Sequence, residues 1–151
     1  QNLQSMLDLA FFSGASIVMI WLQNLRAVLL TGVLGFLTFG VAGTLPLFAT
    51  MTLVGYLVHL LNLGGIPMLY LLMMLLPHGL FEIPGLVIGT GAIVPAAAKI
   101  ITPSNEQTIG EVWLPALAFW LKIILGVCLP LLLIAAVVEA WITPRLLLWL
   151  F

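Results

Sequence analysis

The chain has 151 residues, of which 6 % are charged and 64 % are hydrophobic, and its formal net charge is −1. A soluble domain carries roughly 25 % charged residues, because polar groups must cover its surface. The mean hydropathy of +1.31 therefore excludes a soluble globular domain, and it excludes intrinsic disorder, which requires low hydrophobicity. The composition predicts an all-α, polytopic transmembrane helical bundle with room for about four to five spans.

Charge and cysteine content limit the partners and cofactors. The four basic residues are spread along the chain without forming a basic patch, so nucleic acid is not an expected partner. We expect the lipid bilayer and other membrane subunits, or a second copy of the chain, as partners; an ion or small-molecule ligand is left open. Cys128 is alone, and we expect no disulfide, metal or cofactor. Because the sequence begins with Gln1, we also expect a longer natural protein.

The first half of this single transmembrane domain (1–151) predicts two spans. Residues 1–22 contain an apolar stretch whose length fits either an interfacial helix or part of a span. The first full span is predicted at 24–43, with Asn24 as a favourable N-cap. The second is predicted at 46–62, between a break at Pro46 and a Gly-Gly-Ile-Pro turn.

The next predicted span, 66–101, is too long for one straight crossing. As a single helix its roughly 35 residues would extend about 53 Å, against a hydrocarbon core of about 30 Å. Prolines interrupt it, and we predict a broken helix at Pro77-His78-Gly79, with Pro84 in the first turn of its second piece. Irregular backbone at membrane depth is tolerated only inside protein or beside a cavity.

The C-terminal region begins after the polar loop 102–111. Tryptophan and lysine side chains predict an interfacial helix at 112–122. A span at 123–143 follows, with a kink expected at Pro130.

His78 and Glu82 are spaced to share one helix face. On a helical wheel, Gly85, Gly89, Ala92 and Ala96 fall within about 40° of His78. Gly85 and Gly89 form a G-x-x-x-G pattern that lets another backbone approach closely. The side assigned to lipid carries Leu86, Val87, Ile88, Ile93 and Val94.

Glu139 is a third ionisable residue within predicted hydrocarbon, where a charge costs about 2.5–3.5 kcal/mol on insertion scales. We therefore predict an intramembrane polar cluster of His78, Glu82 and Glu139. Four roles remain open. The carboxyls can lock helices together through backbone or His78, relay protons or ions, bind a metal, or bind the helix of a partner protein.

Three sequence blocks resemble the stage II sporulation protein M family of integral membrane proteins. They are W-L-Q-N-L-R-A-V-L-L (21–30), L-P-H-G-L-F-E-I-P-G (76–85) and L-I-A-A-V-V-E-A-W-I-T-P (133–144). The resemblance implies a bacterial or archaeal multi-pass protein of the cell membrane that is not an enzyme. The sporulation member is a scaffold for cell-wall-degrading enzymes. Because that member departs from the P-H-G-x-x-E block, its sporulation role is not carried over.

These observations favour a non-enzymatic scaffold or subunit of a membrane complex. The alternative is an ion- or proton-coupled channel or transporter, or a permease component, that uses His78, Glu82 and Glu139. An intramembrane metalloenzyme is a third hypothesis, and it requires those three side chains to converge at metal-ligand distances.

Overall fold

A computed structural model describes residues 14–65, 67–103 and 107–149, and these residues form helices and no strand. Helix α1 spans Gly14–Leu37. After a 3₁₀ turn at Ala42–Thr44, helix α2 spans Leu45–Leu63 and helix α3 spans Met68–Ile101. Residues 1–13, which include part of the predicted interfacial segment, lie outside the described residues.

The last part of the chain is one continuous helical rod, here called the C-terminal helix (109–149). Its α-helical parts are α4 (Ile109–Ile123), α5 (Leu129–Val137) and α6 (Thr143–Trp149). Two π-helical turns join them, π1 at Ile124–Cys128 and π2 at Val138–Ile142. The rod starts with a capping interaction in which the Glu111 carboxylate accepts hydrogen bonds from the Thr108 N–H at 2.8 Å and from its hydroxyl at 2.9 Å.

Within the described residues, four helical segments are long and apolar enough to cross a membrane: Ser16–Leu37, Ala42–Leu63, Leu75–Ile101 and Ile109–Leu146. The predicted all-α bundle of four to five spans is therefore confirmed. The helix bounds differ from the predicted ones. Helix α1 passes through 22–24 without a boundary and ends at Leu37, and no helix end separates 112–122 from 123–143.

The predicted break at Pro77-His78-Gly79 is wrong, because α3 continues through it with Pro77, Pro84 and Pro95 in its interior. Each interior proline removes one backbone hydrogen bond. A complete break would free several N–H and C=O groups, and each of them is costly to leave unpaired in hydrocarbon. An uninterrupted helix therefore loses less than a broken one.

The core lies where α1, α3 and the C-terminal helix meet. Its buried residues include Val28 on α1, Leu86 and Ile93 on α3, and Trp120 and Leu132 on the C-terminal helix. The assignment of Leu86 and Ile93 to the lipid side is wrong, because α3 packs against neighbours on two sides. Val87, Ile88 and Val94 are exposed, whereas α2 buries none of its residues.

The turn after α1 folds the following segment back, so that Gly43 lies against Gly35 of α1 and Ile93 of α3. Phe39 and Gly40 have positive φ angles of 53° and 94°, and the Gly40 N–H donates to the Gly35 carbonyl at 2.6 Å. A Cβ on Gly43 would lie 2.9 Å from the Gly35 Cα, so this contact requires glycine.

Candidate functional site

Helix α3 and the C-terminal helix run antiparallel through a close contact at two glycines. A Cβ on Gly85 would lie 3.3 Å from Leu132 Cδ2, and one on Gly89 would lie 3.4 Å from Cys128 Sγ. The Trp120 indole N–H donates to the Gly89 carbonyl at 3.2 Å. These contacts fix the alignment of the two helices. From Gly85 to Gly89 on α3, the contacting residue on the C-terminal helix changes from Leu132 to Cys128.

Extended beyond the two glycines toward the start of α3, the same antiparallel alignment places Glu139 opposite the turn of α3 that carries His78 and Glu82. Both residues lie on the α3 face that continues into Gly85, four residues apart and half-buried. Glu139 is also half-buried. Glu82 and Glu139 therefore lie on facing turns of the two helices.

Glu139 lies in the second π-turn, between fully buried small residues. Ala135, Ala136 and Ala140 each have no exposed surface, and Thr143, one turn further on, is buried as well. The Thr143 hydroxyl donates to the Val138 carbonyl at 3.3 Å. Small neighbours keep the two helices close on either side of Glu139.

Asn24 lies inside a helix and not at the helix start that its sequence position predicts. It was predicted to cap a helix start, but it lies in the interior of α1 with its Nδ2 atom buried and without a hydrogen-bond partner. Val28, one turn on, faces Gly89, since a Cβ on that glycine would lie 3.1 Å from Val28 Cγ1. Asn24 is therefore level with Gly85, about one turn from Glu82. Its spacing from the small residues Thr31, Gly32 and Gly35 could have revealed this.

His78 likewise has an unpartnered atom, since its Nδ1 is buried without a hydrogen bond. Buried polar atoms are paired in the large majority of cases, with protein or with ordered water. Asn24 and His78 therefore each add a buried nitrogen without a hydrogen-bond partner to the region of Glu82 and Glu139. We refer to Asn24, His78, Glu82 and Glu139 as the polar cluster.

The described residues contain no group of three or more His, Cys, Asp or Glu side chains placed to hold a metal ion. The metalloenzyme hypothesis required His78, Glu82 and Glu139 to converge in this way. The region contains two carboxyls and separate nitrogen atoms, chemical groups suited to hydrogen bonding and proton exchange.

Three other predicted site residues, Pro77, Gly79 and Pro84, belong to the same helix. Pro77 is half-buried and Pro84 is exposed. Gly79 and Pro84 line an open apolar groove together with Leu76, Leu80 and Ile83. The residues that line this groove include no ionisable side chain.

Comparisons with known proteins give one match. The family model described as Stage II sporulation protein M matches residues 5–144. The searches of curated proteins and of solved structures each found no match. With nearly the whole chain matched and four helices able to span a membrane, the protein is a multi-pass membrane protein that belongs to the stage II sporulation protein M family.

Proposed function

We propose that the protein is a non-enzymatic subunit of a complex in the cell membrane, where it acts as a scaffold for other membrane proteins. The observation that carries this proposal is helix α2, which buries none of its residues against the rest of the chain. One side of α2 is half-buried against the bundle, where Leu47 packs against the core. The other side exposes apolar side chains, among them Phe48 and Tyr56, to neighbours in the membrane. Small-residue faces elsewhere in the bundle are already used internally.

Site-specific photo-crosslinking in native membranes tests the scaffold proposal. A photoreactive residue is placed at Phe48 or Tyr56 on α2, and at Val94 on the exposed side of α3 as the matched control. A scaffold that uses α2 gives one discrete protein adduct from both α2 positions and only lipid adducts from Val94. Lipid adducts from all three positions, or the same protein adducts from all three, would contradict it.

The polar cluster supports a second candidate function, an ion- or proton-coupled channel or transporter. Glu82 and Glu139 are ionisable residues on facing turns of two membrane-spanning helices, and His78 and Asn24 each carry a buried nitrogen without a hydrogen-bond partner. Ionisable residues inside a membrane commonly line ion or proton pathways. A purely structural cluster has less reason to leave donors unpaired.

A flux assay tests this second candidate. Purified protein in liposomes with an internal pH dye is subjected to a pH step or a K⁺ gradient. Flux above that of empty liposomes, abolished by Glu82→Gln but retained by Glu111→Gln in the exposed loop-side turn, supports transport. Flux equal to that of empty liposomes, or equal flux in both variants, contradicts it.

A further inference from the structure

Every fourth residue of the C-terminal helix is buried, and together these residues form what we call the buried row. The row consists of Val112, Ala116, Trp120, Ile124, Cys128, Leu132, Ala136, Ala140 and Pro144. Three further buried residues flank it: Ala135, Val138 and Thr143. The row packs along α3 and includes the contacts with Gly85 and Gly89.

An ideal α-helix could not keep such a row on one side. Four residues turn the helix by about 400°, so each step along the row drifts by about 40°, and the whole row would drift by about 320°. Ala140 and its neighbour Glu139 would then lie on a different side of the helix from Val112 and Ala116. The observed burial requires something that removes most of this drift.

The two π-turns supply the correction. A π-turn holds one more residue than an α-turn, so each one cancels about 100° of drift. With two of them, about 120° remains over the row, or about 15° per step, which a modest right-handed coiling of the helices can absorb. The four-residue spacing of the buried row and the two π-turns therefore match each other.

Each π-turn ends two residues before a proline. The Leu129 N–H donates to the Ile124 carbonyl ahead of Pro130, and the Thr143 N–H donates to the Val138 carbonyl ahead of Pro144. A proline ring collides with the carbonyl four residues earlier. Widening the preceding turn moves that carbonyl aside, which explains why the extra residue is held at these two places.

We propose that π1 and π2 are register devices that keep the buried row on α3 and thereby turn Glu139 toward Glu82. Pro130 and Pro144 are positioning residues that fix where the extra residues are held. This inference concerns the architecture of the polar cluster and does not depend on which of the two functions is correct.

A deletion and an insertion at the same site test the proposal. Gly126 lies in π1, and a Cβ there would meet nothing within 4 Å. Both variants are made in a parent protein that carries four substitutions: Pro130→Ala, Cys128→Ala, Glu82→Cys and Glu139→Cys. The parent also has a protease site introduced after Pro103. One variant deletes Gly126 and the other inserts an alanine after it. The readouts are the yield of monodisperse protein and the disulfide that joins the two proteolytic fragments after oxidation.

Deleting Gly126 converts π1 to an α-turn without changing which residues face α3, so yield and disulfide formation are expected within about twofold of the parent. The insertion adds a further rotation of about 100° beyond π1, and disulfide formation is expected to fall at least about tenfold. The proposal is overturned if the deletion is as damaging as the insertion, or if both variants match the parent.

Discussion

Replacing Gly32 with alanine should displace the tryptophan at the centre of the core. A Cβ on Gly32 would lie 2.2 Å from Trp120 Cη2 and 2.4 Å from its Cζ2. Carbon atoms in contact are about 3.5 Å apart at closest, so the indole must retreat by about 1.3 Å. Because Trp120 is buried and its N–H donates to the Gly89 carbonyl at 3.2 Å, this movement breaks that bond.

The expected cost follows from three contributions. Overpacking a close-packed core costs about 1–3 kcal/mol, and leaving the indole N–H unpaired costs about 1–3 kcal/mol more. The higher helix propensity of alanine returns about 1 kcal/mol. The free energy of unfolding should therefore fall by about 1–5 kcal/mol.

The measurement is the midpoint of SDS-induced unfolding in detergent micelles, followed by tryptophan fluorescence. Gly91→Ala is the matched control, because a Cβ at Gly91 would meet nothing within 4 Å. We expect a midpoint at or slightly above that of the parent for Gly91→Ala and a clearly lower one for Gly32→Ala. Equal midpoints for the two variants would refute the packing argument.

Three further predictions concern single polar residues. Glu82→Gln keeps the size and hydrogen-bonding capacity of the side chain and should keep the folded yield, whereas Glu82→Leu should lower it; a normally purified and assembled Leu variant would contradict a structural role. Asn24→Leu removes an unpaired buried amide and should raise the free energy of unfolding by about 1 kcal/mol, which is measured as a higher SDS midpoint. A lower midpoint would mean that the amide has a partner. Thr108→Ala removes one donor to Glu111 and should cost about 1 kcal/mol by the same assay; no change would show that this cap contributes nothing.

The sequence was sufficient to predict the fold class and the relationship between His78 and Glu82. Low charge content and high hydropathy left only a helical membrane bundle, and a four-residue spacing places side chains on one face of any helix. The same spacing identified Gly85 and Gly89 as small enough for a close helix contact. Local rules of this kind need no knowledge of the neighbouring elements.

The predictions that failed depended on how helices pack. Pro77 was treated as a helix terminator, although an apolar environment favours retaining every other backbone hydrogen bond. Leu86 and Ile93 were assigned to lipid because lipid and protein core select the same apolar side chains. In both cases the deciding information is the position of a neighbouring helix.

Asn24 and the two π-turns illustrate a third limit. An asparagine is equally suited to a helix start and to an interhelical position, and only the continuation of α1 back to Gly14 decides between them. The fourfold spacing from Val112 to Pro144 joins side chains of different types, so it is recognised only from their burial in the structure. Its meaning depends on the extra residues that π1 and π2 accommodate.

The most direct test of the central claim is whether positions 82 and 139 meet inside the protein. With Cys128 replaced by alanine and a protease site after Pro103, the pair Glu82→Cys and Glu139→Cys should form a disulfide that holds the two fragments together. The control pair Leu80→Cys and Glu139→Cys, with Leu80 63 % exposed on the outer side of α3, should not. Linked fragments from the control pair alone, or from neither pair, would show that the carboxyls do not face each other.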